Sequence, residues 1–505
     1  MDQLDVEATT AARRSVDPDV VAVCYDSRTV TPGSVFVAIE GYATDGHRFI
    51  PDAVKRGAVA VVCRQPVTAD AVVIRVADPR AALAHLACRF YGHPADHLTL
   101  VGVTGTSGKT TVTYLLERIL EKAGHRPGVV GTINFRYTGR VFPNPVTTPE
   151  SLELQGILRQ MADSGVTHVV MEVSSHALDL HRVDGCRYDV AVFTNLSHDH
   201  LDHHGTMDRY WLSKQKLFSD YLKAADSHNP VRAVVNTDHA RGRELAGILG
   251  GMVLRTAAGG DGDIVPLGVV RDLAGMRGRI ATPYGEIPFV SPLVGDFNLE
   301  NILSAAGAAL ALGIPAAAIA AGIDATACVP GRLERIVEGG DRFIFVDYSH
   351  KPDALENAIA ALRSLAVGRL ITVFGCGGDR DRSKRPVMGE IAARLSDLTV
   401  VTSDNPRSED PLTIISQVEA GVRKICTRRL TVDGLKAGWQ AKGYLVEADR
   451  RAAIAAAIGA SRTNDAVLIA GKGHETYQIL AGETIHFDDR EVARQVLAAL
   501  NEAGA

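Results

Sequence analysis

The stretch Val101-Gly-Val-Thr-Gly-Thr-Ser-Gly-Lys-Thr-Thr111 constrains this chain more than any other. The apolar run 100–103 delivers the backbone to Gly105 and Gly108, and helical sequence begins at Lys109. Glycines let successive N–H groups approach phosphate oxygens, and the following helix N-terminus turns the positive end of its dipole to the same place. Gly105, Thr106, Ser107, Gly108, Lys109, Thr110 and Thr111 are therefore candidate phosphate contacts. Lys109 would neutralise the outer phosphates, and the Thr110 hydroxyl would reach Mg²⁺. The strict pattern GxxxxGK[ST] needs Gly where Val103 stands, Gly102 being one residue early. The loop demands an α/β fold and indicates a nucleoside triphosphate, but says little about the reaction.

The rest of the chain repeats the strand–helix alternation. Strands are expected at 20–24, 34–38, 59–62 and 72–76, with helices at 50–56 and 80–90 and an exit linker at 91–97. Further strands are expected at 168–173, 189–193 and 233–236, and a late alanine-rich helix at 293–312. A last set is expected at 342–346, 369–374, 398–402 and 466–470. Apolar strands alternating with helices indicate doubly wound, mostly parallel sheets. At 505 residues the chain exceeds one hydrophobic core, and length suggests about three domains. The expected architecture is a small α/β domain (1–97), a central phosphate-loop domain (98–329) and a Rossmann-like α/β domain (330–505), with the last boundary at Val329-Pro330-Gly331.

A net charge of −5 offers no general attraction for nucleic acid or an anionic membrane, so anionic ligands need local cations. The seven cysteines show no CxxC spacing, which argues against a zinc knuckle or disulfide framework and fits a reducing compartment. The acidic start, Met-Asp-Gln-Leu-Asp-Val-Glu, lacks the basic and apolar regions of a signal peptide. No apolar run approaches the ~18–20 residues that span a bilayer. A cytoplasmic protein without membrane insertion is expected.

Two other strand ends in the central domain carry polar clusters: Glu172-Val-Ser-Ser-His176 and Asn195-Leu-Ser-His-Asp-His-Leu-Asp-His-His204. Mg²⁺ prefers oxygen ligands, so Glu172 is a sensible ligand and a single imidazole such as His200 a tolerable one. Histidines alone would suggest zinc, but HExxH is absent and the phosphate loop favours Mg²⁺–ATP chemistry.

Taken in order, these motifs resemble the Mur ligase family, which builds the cytoplasmic peptide stem of peptidoglycan. The resemblance runs essentially end to end, through Leu293-Val-Gly-Asp-Phe-Asn298, Pro330-Gly-Arg332, Asp347-Tyr-Ser-His350, Gly375-Cys-Gly-Gly-Asp-Arg380 and Asp404-Asn-Pro-Arg407. These last two, with Gly471-Lys-Gly-His-Glu475, resemble the MurE branch, which adds the third stem residue. The Asp-Asn-Pro-Arg form resembles members using meso-diaminopimelate rather than L-lysine.

The resemblance implies UDP-N-acetylmuramoyl-L-alanyl-D-glutamate as nucleotide substrate. Ser27 and Arg28 would hold its uridine diphosphate end, and Thr147, Thr148, Ser174 and Arg182 its sugar-peptide part. Some members carry Gln where this chain has Leu180, which is left out of the site. Lys214 matches a position that is a carbamylated lysine (N6-carboxylysine) in the family, with Lys216 its confusable neighbour. A free lysine amine, with a pKa of about 10.4, would repel Mg²⁺. Its CO₂ adduct is an anion with the oxygen ligands a hard cation wants. Thr110, Glu172, His200 and carbamylated Lys214 are thus the implied metal set, and Lys109, Glu172, His200 and Lys214 the implied catalytic set. Arg332, Asp347 and His350 resemble ATP contacts that act on domain closure, and Asn298 an adenine contact.

Diaminopimelate has two amino acid ends, lysine one, so the distal end needs a cation for carboxylate and an anion for ammonium. Arg380 and Arg407 can bind carboxylate, and Glu475 can accept from ammonium. Asp404, Asn405 and Gly471 complete the expected amino-acid site, with Pro406 helping to aim Arg407. The expected reaction forms ADP: the D-Glu γ-carboxylate attacks the ATP γ-phosphate, and the amine then displaces phosphate from the acyl phosphate. A monomer is expected. The alternatives are a lysine-adding relative, a folylpolyglutamate synthase-like ligase, or a nucleotide-binding regulatory module that has lost catalysis. The N-terminal unit and Asp404-Asn-Pro-Arg407 argue against the first two, and the retained Glu172, His200 and Lys214 against the last.

Overall fold

The computed structural model describes residues 6–10, 19–41, 44–224, 231–366 and 368–504; the first five residues of the acidic start lie outside them. The chain divides into two compact units, residues 1–265, 281–287 and 300–322 in one and 266–280, 288–299 and 323–505 in the other.

The first unit holds two sheets. The smaller has the order Val6–Thr10, Val72–Val76, Ala60–Cys63, Ser34–Val37, Ala22–Cys24. Its strands run parallel except for Val6–Thr10, an edge strand not expected from sequence. Part of the expected linker, Pro94–His97, is a 3₁₀ turn.

The larger sheet has eight strands, with Thr99–Thr104 between His168–Glu172 and Val190–Phe193, and Ala233–Asn236 beyond. All these neighbours are parallel, with Glu172 opposite Val103 and Phe193 opposite Thr104. The strands bury both faces, as their unbroken Val, Ile and Leu content requires: Leu100, Val101, Val103, Val169, Val170, Val192 and Phe193 have no exposed surface. Helix Lys109–Lys122 starts at Gly108, whose φ of 87° suits glycine.

The second unit's main sheet has the order Glu334–Ile336, Phe343–Asp347, Ala466–Ala470, Leu370–Phe374, Leu398–Val401, Gly443–Val446. It is parallel apart from the edge strand Glu334–Ile336. The mostly parallel α/β reading therefore holds. Among the described residues no helix is long and apolar enough to cross a membrane.

The expected strands match closely, and the 293–312 helix shortens to Asp296–Ala311. What was missed is polar or short. Asn134–Tyr137 and Arg140–Pro143 form an antiparallel hairpin, and Val265–Asp272, Gly275–Thr282 and Gly285–Ser291 are strands with alternating exposure. Such half-exposed strands lack the continuous apolar run that flagged the others.

Candidate active site

Sheet order collects the motifs of the first unit. The phosphate loop leaves its strand between the two strands that end in Glu172 and in Phe193-Thr-Asn195. Asn195 Oδ1 accepts from Ser107 N at 2.9 Å, Thr106 N donates to the Asn195 carbonyl at 3.0 Å, and Thr194 Oγ1 donates to the Ser107 carbonyl at 2.6 Å. Tyr210 places its hydroxyl 3.1 Å from Thr106 Oγ1. The sequence alone assigns no role to Thr194, Asn195 or Tyr210, although Asn195 opens one of the polar motifs; what they touch reveals it. Gly105 and Gly108 are obligatory here, since a Cβ on either would strike Thr194 Oγ1 or Asn301 Oδ1. Lys109 Nζ donates to the Gly105 and Thr106 carbonyls at 2.9 and 3.0 Å, folding back over its own loop. Thr110 and Thr111 are buried at the first helical turn.

Lys214, on helix Met207–Ser219, lies 1 % exposed with its Nζ donating to the Gly105 carbonyl at 2.8 Å. Burial, with the Lys109 charge added, holds its amine well below the ordinary lysine range. Glu172, also 1 % exposed, accepts from Thr132 N at 2.9 Å and Thr132 Oγ1 at 2.8 Å. Thr132 Oγ1 in turn lies 3.1 Å from Thr147 Oγ1. Thr148 Oγ1 donates to the Glu172 carbonyl at 2.8 Å, receives Ser174 N at 3.1 Å, and Arg182 donates to the Thr148 carbonyl at 3.1 Å. Thr147, Thr148, Ser174 and Arg182 thus form one connected group around Glu172. Arg182 also pairs with Glu150, which Arg80 holds at 2.7 Å.

The ring of His200 meets His176 edge-on at 4.9 Å and Tyr210 at 5.9 Å. Asp179, His203 and His204 cluster beside it, within 4.8 Å of one another at their donor atoms. They are already hydrogen-bonded: His203 Nε2 to Asp179 Oδ2, and His204 Nε2 to Ser175 Oγ, both at 2.9 Å. In the small sheet, Ser27 is buried, while Arg28 is exposed and pairs with Asp26 at 2.6 Å. Tyr25, two residues before Ser27, donates to Glu153 at 2.9 Å, tying this loop to helix Ser151–Asp163.

The second unit collects its motifs the same way. Asp347, Ala470, Phe374 and Val401 lie opposite one another along four adjacent parallel strands, so the segments following them emerge together. Asp347 accepts from Leu333 N at 2.7 Å and from Ser349 N at 2.9 Å, and burial pushes its carboxyl up. The Arg332 guanidinium lies 5.3 Å over the Tyr348 ring. His350 Nδ1 faces the Tyr348 carbonyl at 2.8 Å, and burial pushes the imidazole down to about 4. Asn298 donates to the Val294 carbonyl at 2.8 Å.

In the neighbouring segments, Asn405 donates to Glu475 Oε2 at 2.9 Å, and Arg407 Nη1 donates to the Gly378 carbonyl at 2.8 Å. Arg407 takes φ 56°, a left-handed conformation unusual for arginine, directly after Pro406. Gly377 lies against the Arg407 guanidinium and the Arg380 side chain, so both arginines border one loop. Gly471, at φ 117°, packs on Asp404, where a Cβ would approach Oδ2 to 2.7 Å. Lys472, to which the sequence motif alone gives no role, is fully buried among Asp404, Asn405 and Glu475.

Residues 19–91 match the Mur ligase family catalytic domain, 103–309 the Mur ligase middle domain, and 331–473 the Mur ligase glutamate ligase domain. The UDP-N-acetylmuramoyl-L-alanyl-D-glutamate–2,6-diaminopimelate ligase of Geobacter metallireducens is 47% identical over 479 residues, 94% of this chain and 93% of that one. The ligase of the same name from Geobacillus kaustophilus is 45% identical over 97% of this chain and 96% of its own. A solved structure of a ligase of that name superposes with a TM-score of 0.69 at 32% identity, covering 95% of each chain. MurF from Thermotoga maritima, at 22% identity and TM-score 0.62 over 96% of this chain and 98% of its own, shares the fold.

Proposed function

Because this chain belongs to the Mur ligase family, we propose that it is a carbon–nitrogen ligase that adds diaminopimelate to UDP-N-acetylmuramoyl-L-alanyl-D-glutamate at the expense of ATP. The observation that carries the amino-acid assignment is the cluster at the strand ends of the second unit. There the Glu475 carboxylate is held by Asn405, and the Arg407 guanidinium is turned by its backbone onto the loop shared with Arg380. A carboxylate and guanidinium groups match the ammonium and carboxylate of diaminopimelate's second zwitterionic end, which lysine lacks.

In the first unit, Gly105, Thr106, Ser107, Gly108, Thr110 and Thr111 are proposed to hold the ATP phosphates, with Lys109 turning from its loop carbonyls to the transferred phosphoryl group. Arg332, Asp347, His350 and Asn298 keep the ATP-contacting roles implied by family resemblance. Thr147, Thr148, Ser174 and Arg182 would orient the D-glutamyl end, and Ser27 with Arg28 the uridine diphosphate. The donor set fits Mg²⁺: a buried carboxylate, a hydroxyl and a lysine whose amine is shifted toward the neutral form that adds CO₂. Thr110, Glu172, His200 and carbamylated Lys214 would hold the ion, which when bound supplies charge stabilisation to phosphoryl transfer.

The γ-carboxylate oxygen forms a bond to the γ-phosphorus as the bond to ADP breaks. The unprotonated amine then attacks the acyl carbon, phosphate leaves, and the amine proton is lost to give the amide. The chain is proposed to act in the cytoplasm as a monomer.

The test is ADP release by purified protein with the nucleotide-dipeptide and either diaminopimelate or lysine. Release requiring both the dipeptide and diaminopimelate is expected. Equal turnover with lysine would overturn the amino-acid assignment, and release without any amine would overturn the ligase reading.

A further inference from the structure

We propose that Lys472 is a positioning residue for amino-acid recognition: its ammonium orients Asn405 and Glu475 and supplies the counter-charge that keeps Glu475 able to receive the substrate ammonium. This rests on the amino-acid site proposed above and extends it to a residue acting through its neighbours.

Lysine is rarely buried without a partner, because its ammonium loses hydration that only close acceptors replace. Lys472 is 0 % exposed. Its Nζ lies 3.1 Å from Asn405 Oδ1, 3.3 Å from Glu475 Oε2 and 3.8 Å from Asp404 Oδ1, with the Tyr477 ring centroid at 5.4 Å. The Asn405 amide has two ends to assign, and Lys472 assigns them together with the Ile479 N–H. Oδ1 accepts from Lys472 and from Ile479 N at 3.0 Å, so Nδ2 must face Glu475, which it meets at 2.9 Å. Both donors converge on Glu475 Oε2. Among the described residues Oε1 has no hydrogen-bond partner, which leaves it to a ligand ammonium.

The electrostatics point the same way. Burial pushes the Glu475 carboxyl up, Lys472 is the largest influence opposing that, and Asp404 pushes it further up. The buried Arg450 also acts on Asp404 and Glu475, but Lys472 is the cation in contact with them; without it Glu475 would protonate at higher pH.

The backbone here does not depend on Lys472. Arg450 and Asp489, both fully buried at the side chain, pair at 2.7 and 2.8 Å. Arg450 also donates to the Ser403 and Ala470 carbonyls at 3.2 and 3.0 Å, pinning the segments that carry Asp404 and Gly471. Gln478 holds the Asp404 carbonyl at 2.7 Å. Loss of Lys472 therefore acts on side-chain orientation and charge rather than on the loops.

The experiment is steady-state kinetics of full-length Lys472→Met, which keeps an unbranched chain and removes the charge. The KM for diaminopimelate should rise about thirty-fold or more, the scale for breaking a buried charge pair. The KM values for ATP and the nucleotide-dipeptide should stay within about two-fold, as expected when uniform binding of one substrate is lost. The acid limb of kcat/KM for diaminopimelate should move to higher pH, which a merely structural role would not produce. In a Glu475→Gln background the same change should add less than about three-fold, since the two residues act as a unit. If Lys472→Met does not fold, Lys472→Gln, which keeps a donor for Asn405, carries the same measurements. Wild-type protein that makes no product with diaminopimelate overturns the amino-acid site and this role with it. Active wild type whose variant shows an unmoved diaminopimelate KM, or equal shifts for all three substrates, overturns this role alone.

Discussion

Lys214 donates its amine to the carbonyl oxygen of Gly105 across 2.8 Å, so a buried lysine from a helix more than a hundred residues later touches the phosphate loop itself. Burial and the Lys109 charge shift Lys214 toward its neutral form, the form that reacts with CO₂, because a protonated amine has no lone pair to offer.

The first prediction follows. Protein equilibrated with ¹³C-bicarbonate should show a carbamate carbon resonance that vanishes in Lys214→Met, and that variant should lose activity by at least about two orders of magnitude, the scale for removing a charge-stabilising group. A resonance that persists in the variant would reassign the carbamate to another amine, with Lys216 the first to check.

Arg407→Ala should raise the KM for diaminopimelate by the equivalent of ~2–5 kcal/mol while leaving ATP and nucleotide-dipeptide binding nearly intact. Arg407 also carries a left-handed φ of 56°, so Arg407→Gly should relieve the backbone while losing the same recognition. Kinetics with each substrate varied in turn, alongside thermal melts of both variants, separate the two effects. Equal loss across all three substrates would remove the dedicated role.

Gly378 lies under the Asp404–Arg407 segment, where an added Cβ would run into the Pro406 carbonyl. Its own carbonyl accepts from Arg407 at 2.8 Å. Gly378→Ala should therefore displace Arg407 and raise the diaminopimelate KM about ten-fold, the penalty for a misplaced binding group. Gly459→Ala, on helix Arg450–Ala460 with open space around it, serves as the control for the chain's tolerance of added methyl groups.

Stability should fall on mild acidification. Burial pushes His168, His350 and His474 down to about 4, whereas the unfolded chain protonates them near the ordinary value of about 6.5. Between those values the unfolded state binds protons that the folded state refuses, so stability decreases as pH drops from about 6.5 to about 4. Urea midpoints measured at intervals across that range should decline, and His168→Gln should flatten the slope. A slope unchanged by that substitution would sink the assignment for His168.

Much of this protein was legible in its sequence because its parallel strands are buried on both faces. Runs such as 100–103, 233–235 and 466–470 are continuously apolar, and the polar residues after them stand out against that background. The phosphate loop and Glu172 stand out by that contrast, whereas Lys214 and the Asp404–Arg407 segment are marked only by their resemblance to Mur ligase motifs. The hairpin Asn134–Tyr137 with Arg140–Pro143 escaped notice because its residues alternate or stay partly exposed.

Which residues meet was decided by strand order, which sequence spacing does not encode. Setting Thr99–Thr104 between His168–Glu172 and Val190–Phe193 brings Asn195, Thr194 and Tyr210 onto the loop. Setting Leu370–Phe374 between Ala466–Ala470 and Leu398–Val401 brings the segment of Lys472 and Glu475 within reach of Asn405. Residue type and local pattern announce chemical capacity, since those are properties of a short segment. Burial, pKa displacement and the partner of each polar atom come from segments distant in the chain, so they exist only once the sheets have formed.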